Sequence, residues 1–240
     1  MPPERSTGAL VCLLAPLMKR LLRALLSLVM IGGIALALWP LGQMAYARWN
    51  QNALRAEWQT AAQRVDSKAA QNKAAKAAAQ VRTATLTSKT PKGAKKSTAK
   101  PPVAELPPTR IIIPDIGLDA VVVQGFDEET LRRGPGHEPR SALPGQLGNC
   151  VIAAHRNVYG AWFYKVDQLW PGSIVTLRTP DESFDYQIVS VYATHDSDIS
   201  VLRPPPSGEP PRLTLVTCTI ERSTSRIVLV AQLVPPPATY

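Results

Sequence analysis

The stretch that decides the fold is Leu213-Thr214-Leu215-Val216-Thr217-Cys218. Its residues alternate as those of a half-buried strand do, with Leu213, Leu215 and Thr217 on one face and Thr214, Val216 and Cys218 on the other. The strand carries a thiol to its own end, where the chain leaves the sheet. Eight residues on, Arg226 opens a second strand-like run, Ile227-Val228-Leu229-Val230-Ala231. Sixty-three residues before Cys218, the run Val151-Ile152-Ala153-Ala154 ends in His155-Arg156. Three strand-like runs therefore have a Cys, a His and an Arg at their ends.

Working outward, the rest of residues 109–235 reads as short strands between turns. Arg110 to Ile113 and Ala120 to Val123 are β-branched runs separated by Pro-Asp-Ile-Gly-Leu-Asp, which is strand, turn, strand. Asp127 to Arg133 suits one or two helical turns. Gly134-Pro135-Gly136 and Leu143-Pro144-Gly145 punctuate loops. Cys150 to Ala154 reads as a buried strand, and Trp162 to Leu169 as a short helix. Ile174 to Arg178 and the alternating Phe184 to Tyr192 add two more strands, and Pro204 to Pro211 is loop. About eight short strands predict an all-β domain, a closed barrel or a sandwich, with one or two short helices. No glycine-rich phosphate loop and no zinc-spaced Cys/His cluster occurs.

Upstream the composition changes. Ala24 to Gly42 is a run of nineteen residues without a charge. As a helix it is about 28 Å long, enough to cross a bilayer core. Lys19, Arg20 and Arg23 precede it and favour a cytoplasmic N-terminus, residues 1–23. A cleaved signal peptide is the alternative, since Ala45-Tyr46-Ala47 fits a cleavage site, but the apolar run is long for a signal core. Both readings export the chain beyond the apolar run. Residues 43–108 divide into an Ala/Lys-rich segment read as an exposed helical stalk and a Pro-rich linker. Residues 236–240 are a short tail.

Charge divides at the same place. Residues 1–108 hold 16 Lys and Arg against 4 Asp and Glu, whereas residues 109–240 hold 11 against 14. The basic balance belongs to the tail, and the mildly acidic folded part argues against nucleic acid as a partner. Three cysteines make no disulfide framework. Cys150 reads as a small buried apolar residue.

A thiol becomes a useful nucleophile when its pKa falls or a base stands beside it, and His155 is the natural base. Arg226 stays protonated, so it can stabilise an oxyanion but not take a proton. Cys218, His155 and Arg226 together suit acyl transfer through a thioester.

The spaced motifs make the chain more specific. Thr214-Leu215-Val216-Thr217-Cys218 resembles the TLxTC signature of sortases, the membrane-anchored cysteine transpeptidases of bacterial surfaces. Leu143-Pro144-Gly145 through Gly148-Asn149 to Ala154-His155-Arg156 resembles the same family's segment before its histidine. Ile113-Pro114-Asp115-Ile116 and Gly134-Pro135-Gly136-His137 resemble its entry to the first strand and a piece common in class D, with class E second. The resemblance covers residues 109–235. It implies an eight-stranded barrel, Cys218 as the nucleophile, His155 as acid/base, and Arg226 as the arginine that holds substrate and oxyanion, with Arg222 the weaker competitor. Thr217, His137 and Arg156 are implied as substrate-binding or supporting residues.

The resemblance also implies the partners: a sorting-signal peptide of a secreted surface protein, an amine acceptor on peptidoglycan or a protein lysine, and the membrane. It implies a single-pass protein of the bacterial cell membrane with its catalytic domain outside. No cofactor is implied. Calcium serves some members, but Asp196 with Asp198, or Asp115 with Asp119, offers two carboxylates where calcium takes six to eight oxygens. A hydrolysing cysteine peptidase would use the same trio with water as acceptor. A non-catalytic surface-binding barrel, with Cys218 tied to Cys150, is the reading of a different class.

Overall fold

Two short runs rich in isoleucine and valine start the folded part, Thr109–Ile113 (β1) and Leu118–Gln124 (β2), joined by a 3₁₀ turn at Pro114–Ile116. Gly117 closes that turn at φ +67°, a left-handed conformation that glycine adopts without steric cost. Six further strands complete the sheet: β3 (Gly136–His137), β4 (Asn149–Ala153), β5 (Ile174–Arg178), β6 (Ser183–His195), β7 (Arg212–Cys218) and β8 (Ser225–Leu233). They close into a barrel in the order β1-β2-β3-β4-β7-β8-β6-β5, with β5 pairing back to β1. Neighbours run antiparallel except β2 with β3 and β4 with β7. This computed structural model describes residues 7–80, 105–218 and 224–235, with side chains in 18–72, 105–217 and 224–235. Most of the Pro-rich linker, Arg222 and the 236–240 tail lie outside the described residues.

The alternation read from sequence is what fills the barrel. Ile111, Ile113, Ile152, Leu177, Tyr186, Ile188, Leu213, Leu215 and Leu229 are each buried to within 2% and form one core with Phe163 and Val166. Tyr186 brings a phenol into that core, and its oxygen accepts from the Gly145 N–H at 2.8 Å. The Leu143-Pro144-Gly145 loop is held to the barrel in this way. A side chain at Gly145 would strike the Phe184 ring at 2.1 Å.

Two local expectations are corrected. The segment predicted as a helix over Trp162 to Leu169 is a series of turns with one 3₁₀ turn, Val166–Gln168. Tyr159, Gly160 and Ala161 just before it have φ of +46°, +87° and +49°, a left-handed path that points the chain away from a helical start. Gly136-His137, read as loop, is a two-residue strand between β2 and β4. It is too short to show a period-two pattern. Asp127 to Arg133 does form a helix, α2 (Glu128–Arg133), capped by the Asp127 carboxylate accepting from the Thr130 N–H.

The N-terminal helix α1 spans Thr7–Gln80, and its chain belongs to two compact units that divide after Gln43. In the first unit the apolar run is exposed, with Leu25, Leu28, Ile31, Ile34 and Trp39 all more than half accessible. The helix is long and apolar enough to cross a membrane.

In the second unit α1 is not the exposed stalk that its alanine content suggests. Ala47, Gln51 and Trp58 are buried at 0%, 2% and 8% exposure, on one stripe of the helix. The Gln51 carboxamide accepts from the Val121 N–H at 2.8 Å and donates to the Val121 carbonyl at 2.9 Å and the Arg133 carbonyl at 3.2 Å. One helical turn later, Arg55 donates to the Asp119 carbonyl. Along β2, β3 pairs only with Val123 and Gln124, so it does not reach these earlier groups. Four helical residues rise about 6 Å and two strand residues about 6.6 Å, so Gln51 and Arg55 match the repeat of Val121 and Asp119. Trp58 lies under the Arg110 guanidinium at 4.9 Å and near that of Arg178 at 6.0 Å. Gly134 lets this helix approach, because a Cβ there would stand 2.2 Å from Gln51 Nε2.

Candidate active site

Strand register brings the three sequence candidates to one end of the barrel. β4 and β7 run parallel with Ile152 beside Leu215 and Ala153 beside Val216. The match continues past the ladder: the Ala154 N–H donates to the Val216 carbonyl at 3.2 Å, and the Thr217 hydroxyl donates to the Ala154 carbonyl at 2.8 Å. The next residues on the two strands are His155 and Cys218. On the other side of β7, antiparallel β8 sets Arg226 directly opposite Cys218, and β6 sets Thr194 opposite Arg226. The backbone of Cys218 ends β7; its side chain lies outside the described residues.

His155 is half-buried at the end of β4, with its backbone carbonyl accepting from the Phe163 N–H at 3.2 Å. Its ring lies 5.5 Å from the Tyr159 ring at a 44° tilt. Nε2 is buried and has no hydrogen-bond partner among the described residues. Burial is the largest influence on the imidazole and pulls its pKa below the ordinary value. The Arg132 guanidinium acts in the same direction and Glu128 opposes it. Arg156, next in sequence, is 4% exposed and pairs with Asp167 at 2.7 Å. It anchors the loop after the histidine.

Arg226 is partly exposed and approaches the Asp196 carboxylate at 3.8 Å; His195 Nδ1 meets the same carboxylate at 3.0 Å. These groups edge a groove of about 220 Å³ whose walls include Val216, Val228, Phe126, Ile199 and Leu202. Among the described residues the groove thus pairs an apolar bed with the Arg226 guanidinium, the His195 ring and the carboxylates of Asp196 and Asp198. Asp198 is held in place by the Thr194 hydroxyl at 2.7 Å and the Ser200 N–H at 2.9 Å.

The other candidates lie within the wall. His137 is fully buried in β3, its Nε2 3.0 Å from the Ala142 carbonyl and 3.1 Å from the Ser141 hydroxyl. Burial, the largest influence, lowers its pKa. Thr217 is 2% exposed and clasps β7 to Ala154. Cys150 is a buried free thiol pushed up to about 12 by burial, so no bridge joins it to Cys218.

Sequence reasoning gave no role to Asn149, which is 3% exposed. Its amide donates to the carbonyls of Val201 and Arg203, and its oxygen accepts from the Thr214 hydroxyl at 2.7 Å. It ties β4, β7 and one wall of the groove together. The signal for it was a lone amide at the head of an apolar strand, where an unpaired polar group would be costly.

Comparison with known proteins bears on this barrel directly. The family model described as the Sortase domain matches residues 111–234, more than half of the chain. The chain belongs to the sortase family. Its sortase domain is 33% identical over 122 residues to Sortase SrtE1 of Streptomyces coelicolor, covering 45% of this chain and 35% of that protein. It is 29% identical over 106 residues to Sortase D of Bacillus subtilis, covering 44% of this chain and 51% of that one. The chain thus spans about a third to a half of the length of these curated relatives. Among solved structures, the Sortase D5 transpeptidase of Clostridium perfringens superposes with a TM-score of 0.50 at 32% identity, over 54% of this chain and 79% of that chain. A lid mutant of Sortase A from Corynebacterium diphtheriae gives 0.51 at 28% identity, over 57% and 75%.

Sortases are cysteine transpeptidases that act on sorting signals and amine acceptors, and in general they need no cofactor. Among the described residues no group of three or more His, Cys, Asp or Glu is arranged to hold a metal ion. Both a Sortase D and a Sortase SrtE1 are among these relatives, the two classes that the Gly134-Pro135-Gly136-His137 motif suggested with class D first.

Proposed function

We propose that this chain is a membrane-anchored cysteine transpeptidase that cleaves the C-terminal sorting signal of a surface protein and transfers it to an amine. The observation that carries the reading is the strand register, in which Cys218 has His155 one strand away on one side and Arg226 directly opposite on the other. Cys218 is the nucleophile, His155 the acid and base, Arg226 the oxyanion donor. Thr217, His137 and Arg156 are supporting residues that hold the strand ends.

The chemistry comes from these roles. With its pKa lowered by burial, His155 is neutral at pH 7 and takes the thiol proton of Cys218. The thiolate attacks the carbonyl carbon of the scissile peptide bond, and the carbonyl oxygen gains the negative charge that Arg226 stabilises. Collapse breaks the C–N bond, and imidazolium returns the proton to the leaving amine. The thioester is then attacked by the acceptor amine, His155 removes that amine's proton, and the thiolate leaves. Water in place of the amine gives hydrolysis.

The apolar groove beside Arg226 suits an extended peptide with apolar side chains. Residues 24–42 serve as a single-pass anchor with the N-terminus in the cytoplasm, and residues 109–235 form the catalytic domain outside the bacterial cell membrane. The acceptor is an amine of peptidoglycan or a protein lysine.

Mass spectrometry of the full chain in detergent, mixed with LPxTG-like and LAxTG-like peptides with and without amines, tests this. A thioacyl adduct that is absent in Cys218→Ala and converts to an amide on adding amine is the expected result. An adduct that only hydrolyses makes the protein a peptidase. No adduct with any peptide, from a thiol that reacts with alkylating reagents, rules the proposal out.

A further inference from the structure

We propose that Tyr159 is the positioning residue for His155, and that a strained left-handed turn exists to hold it there. The inference rests on the proposed catalytic role of His155 and adds a residue to it. The turn comes first. Tyr159, Gly160 and Ala161 all lie at positive φ, and two of the three are not glycine. Such residues are rare away from glycine, and a run of them persists only where the surrounding contacts over-determine it. Here those contacts are visible. The Phe163 N–H bonds the His155 carbonyl, the Ala161 N–H bonds the Val158 carbonyl at 2.9 Å, and Arg156 is pinned to Asp167. Gly160 admits no side chain, since a Cβ there would come within 2.8 Å of the Trp162 ring.

The turn delivers one aromatic ring. Tyr159 meets the His155 ring at 5.5 Å and is itself met by the Arg132 guanidinium at 5.2 Å. Phe163 holds the His155 backbone and Asp167 holds the Arg156 side chain, but Nε2 of the imidazole has no hydrogen-bond partner among the described residues to orient it. The Tyr159 ring, tilted at 44°, is then the contact that limits its rotation. The groups facing His155 are Glu128 and Arg132 from α2, Tyr159 from the turn and, by register, Cys218 from β7. Arg132 is held in turn by Glu128 at 2.6 Å. A path of contacts therefore runs Glu128, Arg132, Tyr159, His155.

The test uses the full chain in detergent with labelled histidine. The chain has three histidines, so three imidazole signals are tracked through a pH titration. Replacing Tyr159 by Ala should shift the His155 signal, move its midpoint up toward the ordinary imidazole value, and lower the acylation rate at saturating peptide by at least about tenfold with KM little changed. Tyr159→Phe keeps the ring and should restore both to near the wild-type level. Arg132→Gln, which removes the cation beside Tyr159, should move the midpoint in the same upward direction. A His155 signal identical in wild type and Tyr159→Ala overturns the inference, whatever the rate does. The titration reads the positioning even in a protein that acylates no peptide, so failure of the transpeptidase reading is seen separately.

Discussion

The edge of β2 covered by α1 and the end of the barrel where β4, β7 and β8 finish are built on opposite terms. At the first, the backbone groups of the strand edge are matched, although Arg55 Nε and Trp58 Nε1 are buried without a partner among the described residues. The N–H and carbonyl of Val121 and the carbonyls of Asp119 and Arg133 all bond side chains of the helix. Cations stack on Trp58. At the second, an imidazole nitrogen is buried without a partner among the described residues and the chain runs through a left-handed turn. Matched polar groups stabilise a fold, because a buried donor or acceptor left alone costs its lost hydration. Unmatched ones remain available to a substrate. On the proposed function, the covered β2 edge serves stability and the open end of the barrel serves the chemistry.

Substitutions can break this division or sharpen it. The largest effect is expected at His155. His155→Ala should reduce the acylation rate by about 10²–10⁴-fold while the melting temperature moves by only a few degrees. A large loss of stability would show that the open end also holds the fold together. Gln51→Leu should do the reverse. It leaves the Val121 N–H and carbonyl unbonded and should cost about 2–4 kcal/mol, read from the urea midpoint, with little change in the acylation rate of the folded protein. Equal stability in that variant would mean that α1 does not cover the β2 edge.

Thr217→Val tests the boundary between the two regions. It removes one buried bond, to the Ala154 carbonyl, at nearly constant shape, so a loss of about 1–2 kcal/mol is expected. A drop in acylation larger than the loss of stability would place the clasp on the catalytic side. The smallest effect concerns pH. Burial holds the His137 pKa below its unfolded value, so the unfolded chain binds the extra proton first as pH falls. Stability should therefore decline as pH drops through about 6.5 and go on declining until it is below the folded pKa. His155 is shifted the same way, so His137→Gln should lessen the slope without abolishing it. An unchanged slope would remove His137 as a source of the pH dependence.

Much of the barrel was legible because its strands repeat a simple physical pattern. In β7 Leu213 and Leu215 enter the core as the alternation predicts, whereas Thr214 on the other face is also buried, where it bonds Asn149. β1, β2, β4, β5, β6 and β8 were likewise marked by β-branched runs between turn residues. Two elements were not. β3 has only two residues, and the turn at residues 159–161 uses conformations that neither Tyr nor Ala advertises. The docking of α1 was hidden for another reason. Its decisive residues are one glutamine, one arginine and one tryptophan among alanines, and a helix that binds a strand edge by side-chain hydrogen bonds needs no wide apolar stripe.

By itself the sequence determined the local facts: an apolar span, a basic segment, short alternating strands, and a Cys, a His and an Arg at strand ends. Those come from side-chain chemistry and from periods of two and 3.6 residues, which act over a few positions. Only the tertiary structure decided that β4 lies parallel to β7 with Ala154 at Thr217, that Arg226 stands opposite Cys218, and that Gln51 reaches Val121. Each of these joins positions 8 to 70 residues apart. Pairing at such distances is fixed by how a closed barrel satisfies all its backbone groups and buries one face of every strand at once, which no local stretch encodes.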